Sequence, residues 1–294
     1  MSTFDGRSVL ITGGGTGIGK GCAQHFLAHG ATVTIAGPDG DVLESAAAEL
    51  RDATGSGAVR TAVCDVTEEE LVQRTVATAT EAGGLDVLVA NAGTGWPGPV
   101  QLLDKAQWHI AYDVNVVGTA LCIKHASPVM RGRGSGAMVA ISSVEALRAS
   151  KFMPAYNVTK AALDTLVACA ARELGPSGIR VNGIRPGVVL TEAVSAQLTE
   201  SSIQAGLRQT YLGRLGTPAD IAKAVAFLAS EDASWVNATI GSWWNCRGSS
   251  LRLIMVCCAT MVFQHGSLSM IVTSYLLSYY HRRLPLTGIS GLSH

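Results

Sequence analysis

The sequence is short of charge and short of aromatic rings. Charged residues make up 15 % of the 294 and aromatic ones 5 %, with Lys plus Arg and Asp plus Glu balanced at 22 each. A net charge of zero leaves no basic footprint for a phosphate backbone, and so few rings offer no stacking platform for bases; nucleic-acid binding is not expected. None of the seven cysteines forms a CxxC pair or stands at a zinc-type spacing from histidine, so no metal site is expected. Most read as small apolar core residues in a reducing compartment, the cytoplasm. The N-terminal MSTFDGRSVLITGGG carries an acid and only a short apolar run, which does not fit a secretory signal.

A second absence is local. The last acidic residue is Asp232, and from Gly241 onward there is no acid and no Lys, only Arg247, Arg252, Arg282 and Arg283. Apolar runs at 253–263 and 270–277 lack amphipathic spacing and are shorter than the ~20 residues of a spanning helix. Composition therefore divides the chain into a domain over 1–241 and an atypical tail over 242–294. The tail has three readings: an aberrant translation product, such as a frameshift or an unspliced stretch; a membrane-associating extension; or an added structural element. The abrupt loss of Asp, Glu and Lys favours the first.

Before the break the pattern is regular. Short apolar runs at 7–12, 31–36, 59–64, 86–90, 137–142 and 180–184 read as buried strands. Between and after them, helical spacing is found at 18–29, 42–53, 68–82, 108–130, 155–174 and 218–229. Strands alternating with helices of this length predict an α/β domain with a doubly wound parallel sheet and three layers.

The chemistry clusters where strands end. Thr12-Gly13-Gly14-Gly15-Thr16-Gly17-Ile18-Gly19 joins the first strand to the first helix. Glycines there allow a sharp turn and a close approach to a pyrophosphate, which the helix N-terminus attracts with free N–H groups and its dipole. A mere tight turn is the plainer reading, but the position in the first βα crossover favours the ligand, and the absence of Gly-Lys-Ser/Thr excludes a Walker loop. Asp65, followed by Val66 after the third strand, either accepts from an adenine amino group or caps the helix at Glu68; local sequence leaves both open. Asn91-Ala92-Gly93 after the fourth strand is a turn signal at the same edge. Ser143 follows the fifth strand. Tyr156 and Lys160 stand one helical turn apart and share a face. An isolated pair of this kind is commonly just a solvated helix face. Downstream of a glycine loop and a strand-end serine, it reads as a phenol whose pKa a neighbouring ammonium lowers, which makes it an acid/base for a carbonyl or an alcohol. The serine hydroxyl then meets the substrate oxygen as charge develops.

Together these motifs, with Asn115 and Asn182-Gly-Ile-Arg-Pro186-Gly187, resemble the short-chain dehydrogenase/reductase family in order and spacing from about Asp5 to Ile240. The resemblance implies a Rossmann-like fold and NAD(P)-dependent hydride transfer between the nicotinamide and a carbonyl or secondary alcohol. It implies Tyr156 as acid/base, Lys160 on the nicotinamide ribose, Ser143 on the substrate carbonyl, and Asn115 holding a water in a proton relay through Lys160. Gly13, Gly15, Thr16, Gly17, Ile18, Gly19, Asp65, Val66, Asn91, Ala92 and Gly93 would line the nucleotide, and Pro186, Gly187, Val189 and Thr191 the nicotinamide. A mobile covering loop would run from Thr191 to about Leu212. Relatives pair into dimers or tetramers through helices corresponding to 108–130 and 155–174. At the end of the second strand, Gly37-Pro38 supplies neither the acid of NAD-preferring relatives nor the Arg of many NADP enzymes. With no carboxylate to repel a 2′-phosphate, and Lys20 as a poorly placed substitute base, the reading leans slightly to NADP. Ala146, Leu147, Phe152, Met153 and Trp96 suggest an apolar substrate mouth or, equally, core or subunit packing. The family's acidic-glycine ending is missing after Gly241, which sustains an alternative: a catalytically impaired nucleotide-binding or scaffold protein.

Overall fold

The computed structural model describes residues 4–243, apart from 82, 197, 198 and 209. The tail from residue 244 onward, and with it the three readings of that tail, lies outside the described residues. The strands are β1 (Ser8–Thr12), β2 (Thr32–Gly37), β3 (Val59–Val63), β4 (Val87–Ala90), β5 (Gly136–Ile141), β6 (Ile179–Pro186) and β7 (Ile240–Trp243). The helices are α1 (Gly17–Ala28), α2 (Gly40–Thr54), α3 (Glu69–Thr80), α4 (Lys105–Tyr112), α5 (Gly118–Arg133), α6 (Glu145–Arg148), α7 (Pro154–Leu174), α8 (Glu192–Ser195), α9 (Glu200–Arg208) and α10 (Pro218–Ala229).

Successive strand side chains point to opposite faces, so a strand covered on both sides needs apolar residues at every position. β1 meets that demand at its three central positions, between buried Ser8 and Thr12. Val9 and Ile11 pack into one core and Leu10 into the other, and all five of its residues are buried. Val87 and Val89 of β4, and Val139 and Ile141 of β5, join the first core, whereas Leu88, Ala90, Met138 and Ala140 join the second. On the first face Phe26 of α1, Leu43 and Leu50 of α2, and Ile221 and Val225 of α10 close the layer. On the second, Val72 and Val76 of α3, Met130 of α5, and Leu163 and Val167 of α7 do so. This is the three-layer, doubly wound architecture that the alternation predicts.

The seven strands lie in the order β3-β2-β1-β4-β5-β6-β7, all parallel. Strand order reverses between β1 and β4, which opens a crevice at their carboxyl ends, the place where open α/β sheets bind ligands. β1 is held in register by Asp86, whose carboxylate accepts from the Ser8 N–H at 2.8 Å and from Arg7 at 3.0 Å.

Two segments differ from the sequence reading. The single helix expected over 108–130 is instead α4, a π-helical turn over Asp113–Val117, and α5. The extra residue of the wider turn is tied to tertiary contacts: Asn115 is fully buried among partners on two other segments, and Gly118 lies so close to Val66 that a Cβ there would come within 2.6 Å of its Cγ2. The covering loop expected from Thr191 contains two short helices, α8 and α9, the first capped by the Thr191 hydroxyl. Among the described residues no helix is long and apolar enough to cross a membrane.

Candidate active site

The glycine loop is built for backbone proximity. Gly13 has φ +61°, and a Cβ on it would stand 2.9 Å from Asn91 Nδ2. A Cβ on Gly19 would lie 2.1 Å from the Gly13 carbonyl oxygen. Asn91 knits this loop to the end of β4: its Nδ2 donates to the carbonyls of Thr12 and Gly13 at 3.0 Å, while Thr12 Oγ1 accepts from the N–H groups of Asn91 and Ala92 at 3.1 Å. A bare backbone cradle thus opens at the N-terminus of α1, where Thr16 makes no side-chain cap. The Gly17 N–H already receives an anion, the Glu192 carboxylate at 3.0 Å. A glycine-lined cradle, ending in a helix N-terminal N–H that already donates to an anion, fits a dinucleotide pyrophosphate.

Asp65 lies beyond the end of β3, and its Oδ1 accepts from the Thr67 N–H at 2.9 Å and the Thr67 hydroxyl at 2.8 Å. The helix-cap alternative is not realised, because the N-cap of α3 is Glu68. Val66 is buried against Gly118.

Beside the cradle, Gly93 brings two side chains together. A Cβ on it would stand 3.1 Å from Asn115 Oδ1 and 3.2 Å from Lys160 Nζ. Asn115 is locked at 2.8 Å by three hydrogen bonds: it accepts from the Thr94 N–H and donates to the Thr94 carbonyl and to Thr159 Oγ1. Lys160 is 3 % exposed and donates to the Ile141 carbonyl at 2.8 Å. Tyr156 sits one helical turn before it, with Lys160 Nζ 5.6 Å from the ring centroid. The Ser143 hydroxyl lies close enough to the Tyr156 phenol to lower its pKa, and it accepts from the Glu145 N–H at 3.1 Å. Ser143, Tyr156, Lys160 and Asn115 are therefore one constellation, at the carboxyl end of β5 and the start of α7.

The electrostatics differ from the expectation that Lys160 lowers the Tyr156 pKa. Burial pushes the Tyr156 phenol above its ordinary value; the Ser143 hydroxyl offsets part of this, and Glu145 adds to it. Burial also pulls the Lys160 ammonium down to about 8, against the opposing charge of Asp164. The reason is geometric. The ammonium donates to the Ile141 carbonyl, and burial sets the direction of both shifts.

Pro186 ends β6, and Val189 is buried where its backbone bridges Gly216. Thr191 lies against the glycine loop, its Cγ2 2.9 Å from a Cβ built on Gly17. The structure also shows partners that the sequence reading missed: Thr94 and Thr159 around Asn115, Glu192 on Gly17, and Gly95 behind Tyr156. Thr159 was accessible, since it adjoins Lys160 in the motif. Glu192 carried no local signal, being 175 residues from Gly17. Leu147 and Phe152 are exposed, and Ala149 and Phe152 hold positive φ angles of 49° and 65°, strained values for residues with side chains. A separate groove of about 760 Å³, lined by Phe4, Arg7, Arg180 and Trp235, opens where β4, β5 and β6 begin, at the opposite edge from Tyr156.

Gly95 backs the Tyr156 ring, and a methyl at 95 would come within 2.9 Å of Cδ2 and 3.1 Å of Cβ. Gly95→Ala is expected to lower kcat roughly tenfold to hundredfold by displacing the phenol, with NADH affinity retained. An unchanged kcat would show that the ring does not need this wall.

With this geometry in place, the similarities to known proteins are informative. The family model described as enoyl-(acyl carrier protein) reductase matches residues 13–241. The 7alpha-hydroxysteroid dehydrogenase of Escherichia coli (strain K12) is 37 % identical over 239 residues, 81 % of this chain and 92 % of its own. The cis-4-hydroxycyclohexanecarboxylate dehydrogenase of Sinomonas cyclohexanicum is 40 % identical over 243 residues, 81 % of this chain and 94 % of its own. A solved 7 alpha-hydroxysteroid dehydrogenase in complex with NADH and 7-oxo glycochenodeoxycholic acid superposes with a TM-score of 0.78 at 36 % identity, covering 82 % of this chain and 93 % of that one. A short-chain type dehydrogenase/reductase from Mycobacterium ulcerans gives the same TM-score of 0.78 at 40 % identity, covering 82 % and 89 %. The scaffold alternative finds no favour in these similarities. The chain belongs to the short-chain dehydrogenase/reductase family and is an NAD(P)-dependent oxidoreductase acting between alcohols and carbonyls.

Proposed function

We propose that Tyr156 is the acid/base of this reaction, with Ser143, Lys160 and Asn115 as its fixed surroundings. The single observation that carries this is the convergence of Ser143 and Lys160 on Tyr156, a phenol that burial keeps protonated. In carbonyl reduction the Tyr156 Oη–H proton passes to the substrate oxygen, which Ser143 Oγ also meets as negative charge develops on it. The nicotinamide supplies the hydride when bound. Lys160, buried beside Gly93, is placed to donate to a ribose hydroxyl, and Asn115, held by Thr94 and Thr159, fixes the π-helical turn against that ammonium. Gly13, Gly15, Thr16, Gly17, Ile18 and Gly19 would hold the pyrophosphate side, and Asn91, Ala92 and Gly93 the adjoining ribose. Asp65 and Val66 would take the adenine; Pro186, Gly187, Val189 and Thr191 the nicotinamide.

The nucleotide rim moves the sequence-based lean from NADP to NAD(H). Asp39 caps α2, accepting from the N–H groups of Asp41 and Val42, and leaves a carboxylate just beyond Gly37 and Pro38. Lys20, the candidate base for a 2′-phosphate, is held by Glu49 at 3.0 Å and Glu192 at 2.8 Å. Held there, Lys20 is assigned to the α1 N-terminus rather than to a ribose 2′-phosphate. In fluorescence titrations NADH is expected to bind at least tenfold more tightly than NADPH, about 1.4 kcal/mol; the reverse order would overturn the preference.

The substrate proposed is a secondary alcohol, or the matching ketone, on an apolar ring. The names of the two dehydrogenases compared above support this, as do the exposed Leu147 and Phe152 near the site. Turnover of cyclic ketones with NADH, compared with linear ones of equal carbon number, tests it. Exposed Ile110 and Tyr112 on α4 and Val158 on α7 support a homodimer or homotetramer formed through these helices. The free thiols of Cys22, Cys64 and Cys122, all buried, suit a cytoplasmic setting.

A further inference from the structure

We propose that Glu192 competes with the cofactor pyrophosphate for the N-terminus of α1, and that Lys20 is the pyrophosphate's cationic partner. The proposal rests on the dinucleotide-binding reading of the glycine loop. Glu192 bridges two donors: Oε2 accepts from the Gly17 N–H at 3.0 Å and Oε1 from Lys20 Nζ at 2.8 Å. Gly17 is the first residue of α1, and Thr16 before it offers no side-chain cap, so the helix is capped from the first residue of α8. Thr191 packs its methyl group beside Gly17, which fixes the approach of the next residue. The lysine beside it holds the Glu192 carboxyl below the usual range, so the group is an anion at neutral pH.

A carboxylate on a helix N-terminus with an ammonium on its other oxygen meets the needs of a phosphate: an N–H donor, the positive end of the dipole and a cation. A diphosphate carries the same sign of charge as Glu192 and needs the same donors, so the two cannot share them. Entry of the dinucleotide therefore breaks both Glu192 contacts. Lys20 stays, anchored on its other side by Glu49 at 3.0 Å, with its ammonium turned to the incoming oxygens. Glu192 thus weakens cofactor binding and Lys20 strengthens it, although the two pair with each other.

The opposed signs give a clean test by NADH fluorescence titration of full-length proteins. Glu192→Gln keeps the shape and removes the charge; it is expected to tighten the NADH Kd about three- to tenfold, the scale of a partly exposed ion pair at a helix terminus. Glu192→Ala is expected to act in the same direction. Lys20→Met is expected to weaken NADH about three- to tenfold. An unchanged or weaker Kd in both Glu192 variants would overturn the competition. Unchanged or tighter binding in Lys20→Met would show that the lysine serves Glu192 alone. If neither wild type nor any variant binds NADH, the dinucleotide reading itself fails, an outcome distinct from equal binding by all four proteins.

Discussion

Tyr156→Phe is expected to lower kcat by roughly 10²- to 10⁴-fold, the range of a positioned acid/base, while the NADH Kd stays within about twofold. The phenyl ring keeps the packing against Gly95 and removes only the hydroxyl that meets Ser143. The direction of the pKa shift adds a pH signature. Because burial raises the Tyr156 pKa, the phenol is protonated across the neutral range and is ready to donate. Carbonyl reduction should be nearly flat with pH there. Alcohol oxidation, which needs the phenolate, should climb as pH rises toward the ordinary tyrosine range. A Phe variant that turns over within tenfold of wild type would remove Tyr156 from the chemistry. An oxidation rate falling as pH rises would contradict the protonation state assigned to it.

Gly19→Ala should be the most damaging substitution in the cofactor cradle. Its Cβ would fall 2.1 Å from the Gly13 carbonyl oxygen and 2.7 Å from Asn91 Nδ2. Neither can give way easily, since Gly13 is itself at φ +61° and Asn91 is hydrogen-bonded to both Thr12 and Gly13. Overpacking of this kind costs about 1–3 kcal/mol, or roughly 2–12 °C in the melting midpoint of a domain this size. NADH affinity should fall by more than about a hundredfold, because the backbone that approaches the pyrophosphate is what moves. Gly57→Ala is the control: a Cβ there meets nothing within 4 Å. Wild-type NADH binding by Gly19→Ala would show that the close approach at Gly19 is not required.

What the sequence made legible was local. β1, β4 and β5 could be read because both of their faces are covered, so β4 and β5 are apolar throughout and β1 at Val9, Leu10 and Ile11. Tyr156 and Lys160 could be paired because one turn of helix joins them, and the glycine loop because it occupies a single βα turn. What stayed hidden depends on partners distant along the chain. The π-helical turn at Asn115 owes its shape to Thr94, Thr159 and Val66, none of them in the helix. The rise of the Tyr156 pKa and the fall of the Lys160 pKa follow from burial, which spacing does not encode. Asp65 could be read as an adenine acceptor or as a cap, because a helix begins just after it; in the fold Thr67 takes its carboxylate and Glu68 is the N-cap.

The all-parallel sheet has a kinetic consequence. No neighbouring strands can be joined by a tight turn, and β1 gains its second neighbour only when Val9 meets Val87. The entropy of closing such loops must be overcome before the contacts reward it, which makes refolding slow compared with a hairpin-built sheet of equal size. On the ribosome, at roughly 5–20 residues per second, several seconds separate the emergence of β1 from that of β4. Through that interval the strand destined for the centre of the sheet has one edge of unpaired backbone N–H and C=O groups, the feature most prone to misassociation. During synthesis Ser8–Thr12 is therefore the segment whose free edge must wait longest for Val87 to cover it.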